Sequence, residues 1–282
     1  GAGAVAAGGQ ASLAQASVRV APAPDAVGML YDSTLCIGCK ACVEACRQAN
    51  GLEADTAYFP DGAYQAPVDL SARAKNVIKL YRRKGQSAFM KAQCMHCVDP
   101  ACTSACMIGA LKKRELGIVS YDPSKCVGCR YCQVACPFNV PKFEWSKAAP
   151  KIVKCELCRH RIAEGRKPAC VEVCPKAAVI YGTRAELLAE AKRRLAAYPD
   201  RYVPKVYGEA DGGGTQVLYL AAVPFEALGL PDLGTEAVPS TTRAVQHGIY
   251  KGFIAPVALY ATLGAVLVRN RRRKAAGDEE KA

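Results

Sequence analysis

Sixteen cysteines fall into four groups of four between residues 36 and 174, and none lies outside them. The groups are Cys36, Cys39, Cys42 and Cys46; Cys94, Cys97, Cys102 and Cys106; Cys126, Cys129, Cys132 and Cys136; and Cys155, Cys158, Cys170 and Cys174. Any fold for this chain must gather these thiols. Cysteines two residues apart are well placed to ligate one centre and badly placed to bridge each other. A disulfide framework, usual in short secreted domains with irregular spacing, therefore fits poorly in a chain of 282 residues.

Thiolates are soft ligands that suit zinc and iron–sulfur centres. A zinc knuckle needs two ligand pairs separated by a long loop. The first and third groups instead read C-x2-C-x2-C-x3-C, with Pro137 completing the run in the third. In two-cluster ferredoxins that run supplies three ligands to one [4Fe–4S] cluster and its fourth cysteine to the other. Applied here, the rule joins Cys36, Cys39 and Cys42 with Cys174, and Cys155, Cys158 and Cys170 with Cys46. It likewise joins Cys94, Cys97 and Cys102 with Cys136, and Cys126, Cys129 and Cys132 with Cys106. Every cysteine is used once, so four [4Fe–4S] clusters and no [3Fe–4S] cluster are expected. A structural multi-zinc interaction protein is the alternative from a different class.

The flanking residues repeat with the cysteines. Tyr31-Asp32 precede Cys36 at the spacing at which Tyr121-Asp122 precede Cys126, and Gly38 and Gly128 occupy equal places within the groups. This marks a duplication of ferredoxin-type half-units. Ala110–Lys112 and Ile118–Tyr121, around Gly117, read as a hairpin between groups two and three. Val179–Tyr181 can pair with Met29–Tyr31. The expected fold is α+β: two ferredoxin-like units, each with two clusters, one inserted in the other. The outer unit takes residues 28–92 and 150–182 and the inserted unit 93–149. The rival order pairs group one with two and three with four. Val77–Tyr81, with Phe89 and Met90 beyond Gly85, reads as a further hairpin. Ile37, Val127, Val134 and Ile152 are expected to shield the clusters from water.

Thr183 and Glu186 open a helix with a capping box, and Leu187, Leu188, Ala191 and Leu195 share its apolar face. The rest of 183–248 is rich in Pro and Gly and reads as an extended arm. Residues 249–268 carry little charge and run into Arg269, Arg271, Arg272, Arg273 and Lys274. This pattern predicts a C-terminal transmembrane helix with a cytoplasmic basic tail over 269–282. It places the cysteine units on the periplasmic face of a bacterial inner membrane. Residues 1–27, rich in Ala, Gly and Ser, read as a leader or export-signal remnant.

The formal net charge of +13 counts every cysteine as neutral. Four anionic clusters would offset about 8 of it. No basic stripe is interleaved with stacking aromatics, which argues against nucleic acid. His96 lies between Cys94 and Cys97, His160 in a basic stretch, and His247 before the apolar segment. No nucleophile with a base, no carboxylate pair and no dinucleotide fingerprint is present, so a non-catalytic electron-transfer role is expected.

Cys94-Met-His-Cys-Val-Asp-Pro-Ala-Cys102 and Cys126-Val-Gly-Cys-Arg-Tyr-Cys-Gln-Val-Ala-Cys-Pro-Phe-Asn-Val-Pro141 resemble the four-cluster iron–sulfur subunits of the dimethyl-sulfoxide-reductase superfamily. Gly212-Gly-Gly-Thr-Gln-Val-Leu218, Val223-Pro-Phe-Glu226 and Tyr250-Lys-Gly-Phe253 look like the HybA type of hydrogenase-2-like complexes. The resemblance implies electron relay between a periplasmic catalytic heterodimer, a nickel–iron hydrogenase, and an integral membrane quinone-reactive subunit of the NrfD/PsrC type. It also implies export by the twin-arginine route. The β subunit of a membrane-bound formate dehydrogenase is the alternative within this superfamily.

Overall fold

The computed structural model describes residues 20–55, 66–83, 85–240, 252–253 and 256–271. Strand β1 (Val27–Asp32) is buried along its whole length. Helix α1 (Ala41–Ala49) follows within the first cysteine group. The hairpin of β2 (Val77–Arg83) and β3 (Gln86–Ala92) comes next, with Ile78 opposite Lys91 and Lys79 opposite Met90.

The second and third cysteine groups flank a second small hairpin. Helix α2 (Ala101–Ser104) leads to β4 (Leu111–Lys113), which pairs antiparallel with β5 (Val119–Tyr121), and α3 (Tyr131–Ala135) follows. Strands β6 (Lys142–Phe143) and β7 (Ile152–Val153) form a two-stranded ladder. The fourth group is carried by α4 (Arg159–Ala163) and α5 (Ala169–Glu172), and β8 (Val179–Thr183) closes it.

Helix α6 (Arg184–Ala197) starts at the capping box: the Thr183 hydroxyl accepts from the Glu186 amide, and the Glu186 carboxylate accepts from the Thr183 amide at 3.1 Å. Leu187 and Ala191 are buried on its inner face, with Leu188 and Leu195 packed beside them. Strand β9 (Val217–Leu220) completes a sheet in the order β8-β1-β9. There β1 runs antiparallel to β8 and parallel to β9.

Two expectations are corrected by this architecture. The region after α6 is not simply an extended arm, because Val217–Leu220 is a fully buried strand at the heart of the main core. Its neighbours are stitched to the second cysteine group: the Gln216 and Val217 amides donate to Met95 O at 3.2 Å, and Val98 N donates to Gly214 O at 2.9 Å. Secondly, the expected membrane crossing does not stand. No helix of the described residues is long and apolar enough to cross a membrane. Helical residues 256–271 fall short of the roughly 20 apolar residues a span needs, and Arg269 and Arg271 lie within them. The inner-membrane, periplasmic-face location that rested on this anchor is withdrawn with it. These C-terminal residues belong to a unit separate from 19–239. The leader up to residue 19, His247 and the tail from 272 lie outside the described residues.

Candidate metal centres

The backbone around the thiols repeats as the cysteines do. Gly38 and Gly128 have φ of 70° and 74°, and Lys40 and Arg130, just after Cys39 and Cys129, have φ of 57° and 64°. His96 and Leu157, each two residues past the first cysteine of its group, also adopt positive φ. Gly109, Asn139 and Ala177 do so three residues past Cys106, Cys136 and Cys174. Such turns curl amide groups inward around a common centre. Amide N–H groups reach sulfur at Gly38 to Cys36 (3.4 Å), Ala110 to Cys106 (3.2 Å) and Leu157 to Cys155 (3.4 Å). At Gly38 a side chain has no room, since a Cβ would stand 2.3 Å from the Phe89 ring.

All sixteen cysteines are free thiols. Cys36, Cys39, Cys42 and Cys174 line one cavity, together with Tyr31 and Lys91. Elsewhere each buried thiol has its own set of thiol neighbours. Burial pushes Cys46 upward, and Cys155, Cys170 and Cys158 add to it. Burial raises Cys97, with Cys94, Cys102 and Cys136 adding. Burial lifts Cys132 to about 11, with Cys106, Cys126 and Cys129 adding. Neighbours also link one quartet to the next. Cys170 acts on Cys42, Cys155 on Cys94, and Cys132 on Cys102. These neighbours run in a row from Cys42 through Cys170, Cys155, Cys94 and Cys102 to Cys132, and Cys39 and Cys129 are exposed.

These quartets suit a polynuclear group. Each has at least one buried thiol, the buried thiols are held protonated when empty, and iron would displace those protons on binding. Among the described residues no three His, Cys, Asp or Glu side chains could hold a metal ion between them. A four-iron cube meets its thiolates at separate corners, whereas zinc draws four sulfurs to about 2.3 Å from one point.

His96 is fully buried, and its Nδ1 accepts from Val119 N at 3.1 Å. Because that amide can only donate, the imidazole proton sits on Nε2, which has no hydrogen-bond partner among the described residues. Burial holds this histidine well below its ordinary pKa, with Lys154 and Lys113 adding. His160 is exposed on α4. Of the expected shielding residues only Ile152 is buried; Ile37, Val127 and Val134 are 53%, 73% and 86% exposed. They sit on the outer side of loops and helix turns whose thiols face inward, so they border the end quartets instead of sealing them.

Sequence reasoning missed two buried lysines. Lys154 is 3% exposed, donates to Val119 O and to Cys155 O, and acts on Cys94, Cys102 and Cys136. Its position immediately before Cys155 was the available signal. Lys91 is 0% exposed, and no local pattern signalled its inward setting.

Residues 86–184 match the 4Fe-4S dicluster domain family, and residues 29–48 match the 4Fe-4S binding domain family. The chain is 42% identical to the hydrogenase-2 operon protein HybA of Escherichia coli O157:H7, with 89% of this chain and 87% of that protein covered. The chain belongs to the HybA-type iron–sulfur subunits. It is also 36% identical to the nitrate-inducible formate dehydrogenase iron-sulfur subunit of Escherichia coli strain K12, over 82% of this chain and 79% of the other. The formate dehydrogenase iron-sulfur subunit of Haemophilus influenzae is 34% identical, with 88% and 86% covered. As a HybA-type subunit the chain is an electron-transfer protein that carries multiple [4Fe–4S] clusters.

Proposed function

We propose that the sixteen cysteines hold four [4Fe–4S] clusters in the quartets Cys36/Cys39/Cys42/Cys174, Cys46/Cys155/Cys158/Cys170, Cys94/Cys97/Cys102/Cys136 and Cys106/Cys126/Cys129/Cys132. The outer unit (28–92 with 150–182) holds the first two and the inserted unit (93–149) the last two. The chain relays electrons along this row and performs no substrate chemistry of its own. The observation that carries the reading is the run of electrostatic neighbours Cys42–Cys170, Cys155–Cys94 and Cys102–Cys132, which links the quartets into one path.

When bound, such clusters supply one-electron carriers. The chain's part is to hold and insulate them. Met95, Ile118 and Leu157 keep water from the interior, and the amide donors at Gly38, Ala110 and Leu157 favour the anionic sulfurs. The two exposed cysteines mark where electrons enter and leave. By likeness to HybA of hydrogenase-2, one end serves a nickel–iron hydrogenase heterodimer. The other serves an integral membrane quinone-reactive subunit of the NrfD/PsrC type. The formate dehydrogenase relatives favour a second reading, in which the catalytic partner is a molybdopterin enzyme.

Anaerobically purified protein should contain about sixteen irons and as many sulfides, four of each per cluster. Zinc without visible-range absorption would contradict the proposal. Nickel in the co-purified complex supports the hydrogenase reading; molybdenum or tungsten supports the other.

A further inference from the structure

Lys91 is an unusual group to find at complete burial. It lies on β3 opposite Ile78, and its side chain is sealed from solvent. Among the described residues its ammonium has one hydrogen-bond partner, the neutral side-chain carbonyl of Gln93, and no carboxylate pairs with it. A lone buried ammonium is strongly disfavoured unless anionic groups surround it. Here those groups are the cysteine sulfurs, anionic once they ligate iron. Lys91 lines the cavity of Cys36, Cys39, Cys42 and Cys174. It is also an electrostatic neighbour of Cys42 and Cys170, and of Cys46 and Cys155. Two of these thiols, Cys42 and Cys170, belong to different quartets and are electrostatic neighbours of each other.

We propose that the Lys91 ammonium is a fixed internal cation shared by the first two clusters of the row, and that it raises the reduction potentials of both. The proposal rests on the quartet assignment given above. Adding one electron to a cluster adds one negative charge, with no bond made or broken in the protein. A nearby positive charge stabilises the reduced form and so raises the potential, and net charge and burial are among the levers that set such potentials. The field acts through a dry interior, where screening by water and salt is weak. Lys154 holds the corresponding place beside Cys94, Cys102 and Cys136. Each half of the row thus has its own buried cation, and removing Lys91 should leave the third and fourth clusters as they were.

The test is a redox titration of the full-length, cluster-loaded protein, followed by electron paramagnetic resonance. Lys91→Met keeps the length and burial of the side chain and deletes its charge. It should shift the oxidised-to-reduced equilibrium of two of the four clusters at least tenfold toward the oxidised form. That is a fall of about 59 mV for a one-electron couple. Lys91→Arg should keep both potentials near those of the parent. Four unchanged potentials in a fully loaded Lys91→Met protein would overturn the proposal while leaving the quartet assignment intact. A parent protein without iron would defeat the assignment itself. Should Lys91→Met fail to load, Gln93→Glu carries the test, because it pairs the ammonium with an isosteric carboxylate. A drop in the same two potentials supports the proposal, and their constancy overturns it.

Discussion

Arg194 and Asp32 meet at 3.1 Å, tying the last turns of α6 to the end of β1 across the chain. The Asp32 carboxylate is fully buried. It also accepts from the Tyr202 hydroxyl at 2.8 Å and the Thr34 hydroxyl at 2.6 Å. This one side chain therefore fixes the entry to the first cysteine loop, the C-terminal part of α6 and the start of the segment leading to β9. Replacing Arg194 with Met removes the only charged partner, among the described residues, of a buried anion. The expected cost is about 3 kcal/mol, the low end for such a loss because Tyr202 and Thr34 still donate. It should be read as a lower midpoint in anaerobic urea unfolding, with the iron content of the folded protein unchanged.

The crossing of ligands between groups can be tested by serine substitution. Cys46→Ser should remove or alter the same spectroscopic signal as Cys155→Ser, and a different signal from Cys36→Ser. Each variant should lose no more than about a quarter of the iron, one cluster of four. If Cys46→Ser and Cys36→Ser affected one common signal, the fourth cysteine of the first group would belong to its own group's cluster.

Gly38→Ala meets two obstacles at once, a left-handed φ of 70° and the Phe89 ring at 2.3 Å from the new Cβ. The loop must shift, and it carries Cys36 and Cys39. Loss of about one cluster's worth of iron is expected. Gly165→Ala, with a similar φ but open space around it, should retain full iron content.

Thr183→Ala removes one half of the capping box at the start of α6. A loss of about 1 kcal/mol is expected, again read by denaturant midpoint. The visible absorption of the clusters should be unchanged, since Thr183 lies beyond the fourth cysteine group.

His96→Ala strips the buried Val119 amide of its acceptor. A donor left unsatisfied in the interior costs about 1–3 kcal/mol. Strand β5 should exchange its amide hydrogens faster in the variant than in the parent, and an unchanged exchange rate at Val119 would show that the imidazole is not its partner in solution.

Much of the fold was legible in the sequence because local chemistry and local structure coincide in it. The hairpins at 77–92 and 111–121, the pairing of Met29–Tyr31 with Val179–Tyr181 and the cap at Thr183 all follow from short patterns, and each is present. What escaped was set by distant packing. Val217–Leu220 is only four residues long and lies among Pro and Gly. Its assignment as a strand depends on β1, which no local pattern reveals. Lys91 drew no reading from the sequence, because its burial is imposed by cysteine groups on both sides in sequence. The outward setting of Val127 and Val134 followed from the same limit: hydrophobicity marks a residue as apolar but not which side of a cysteine loop it faces. The apolar run after residue 252 was read as a span on composition. Among the described residues, its helix is too short and ends in arginines.

The placement of β1 between β8 and β9 has a consequence for how the protein is made. The inserted hairpin of β4 and β5 is complete within a dozen residues, whereas β1 is synthesised first and waits for partners that emerge at Val179 and Val217. A nascent chain that has not yet reached Leu220 can form the inner hairpin and lacks one flank of the outer sheet. Contacts of such long sequence separation close late. Maturation should therefore run from the inside outward, with the first cysteines translated among the last to be enclosed.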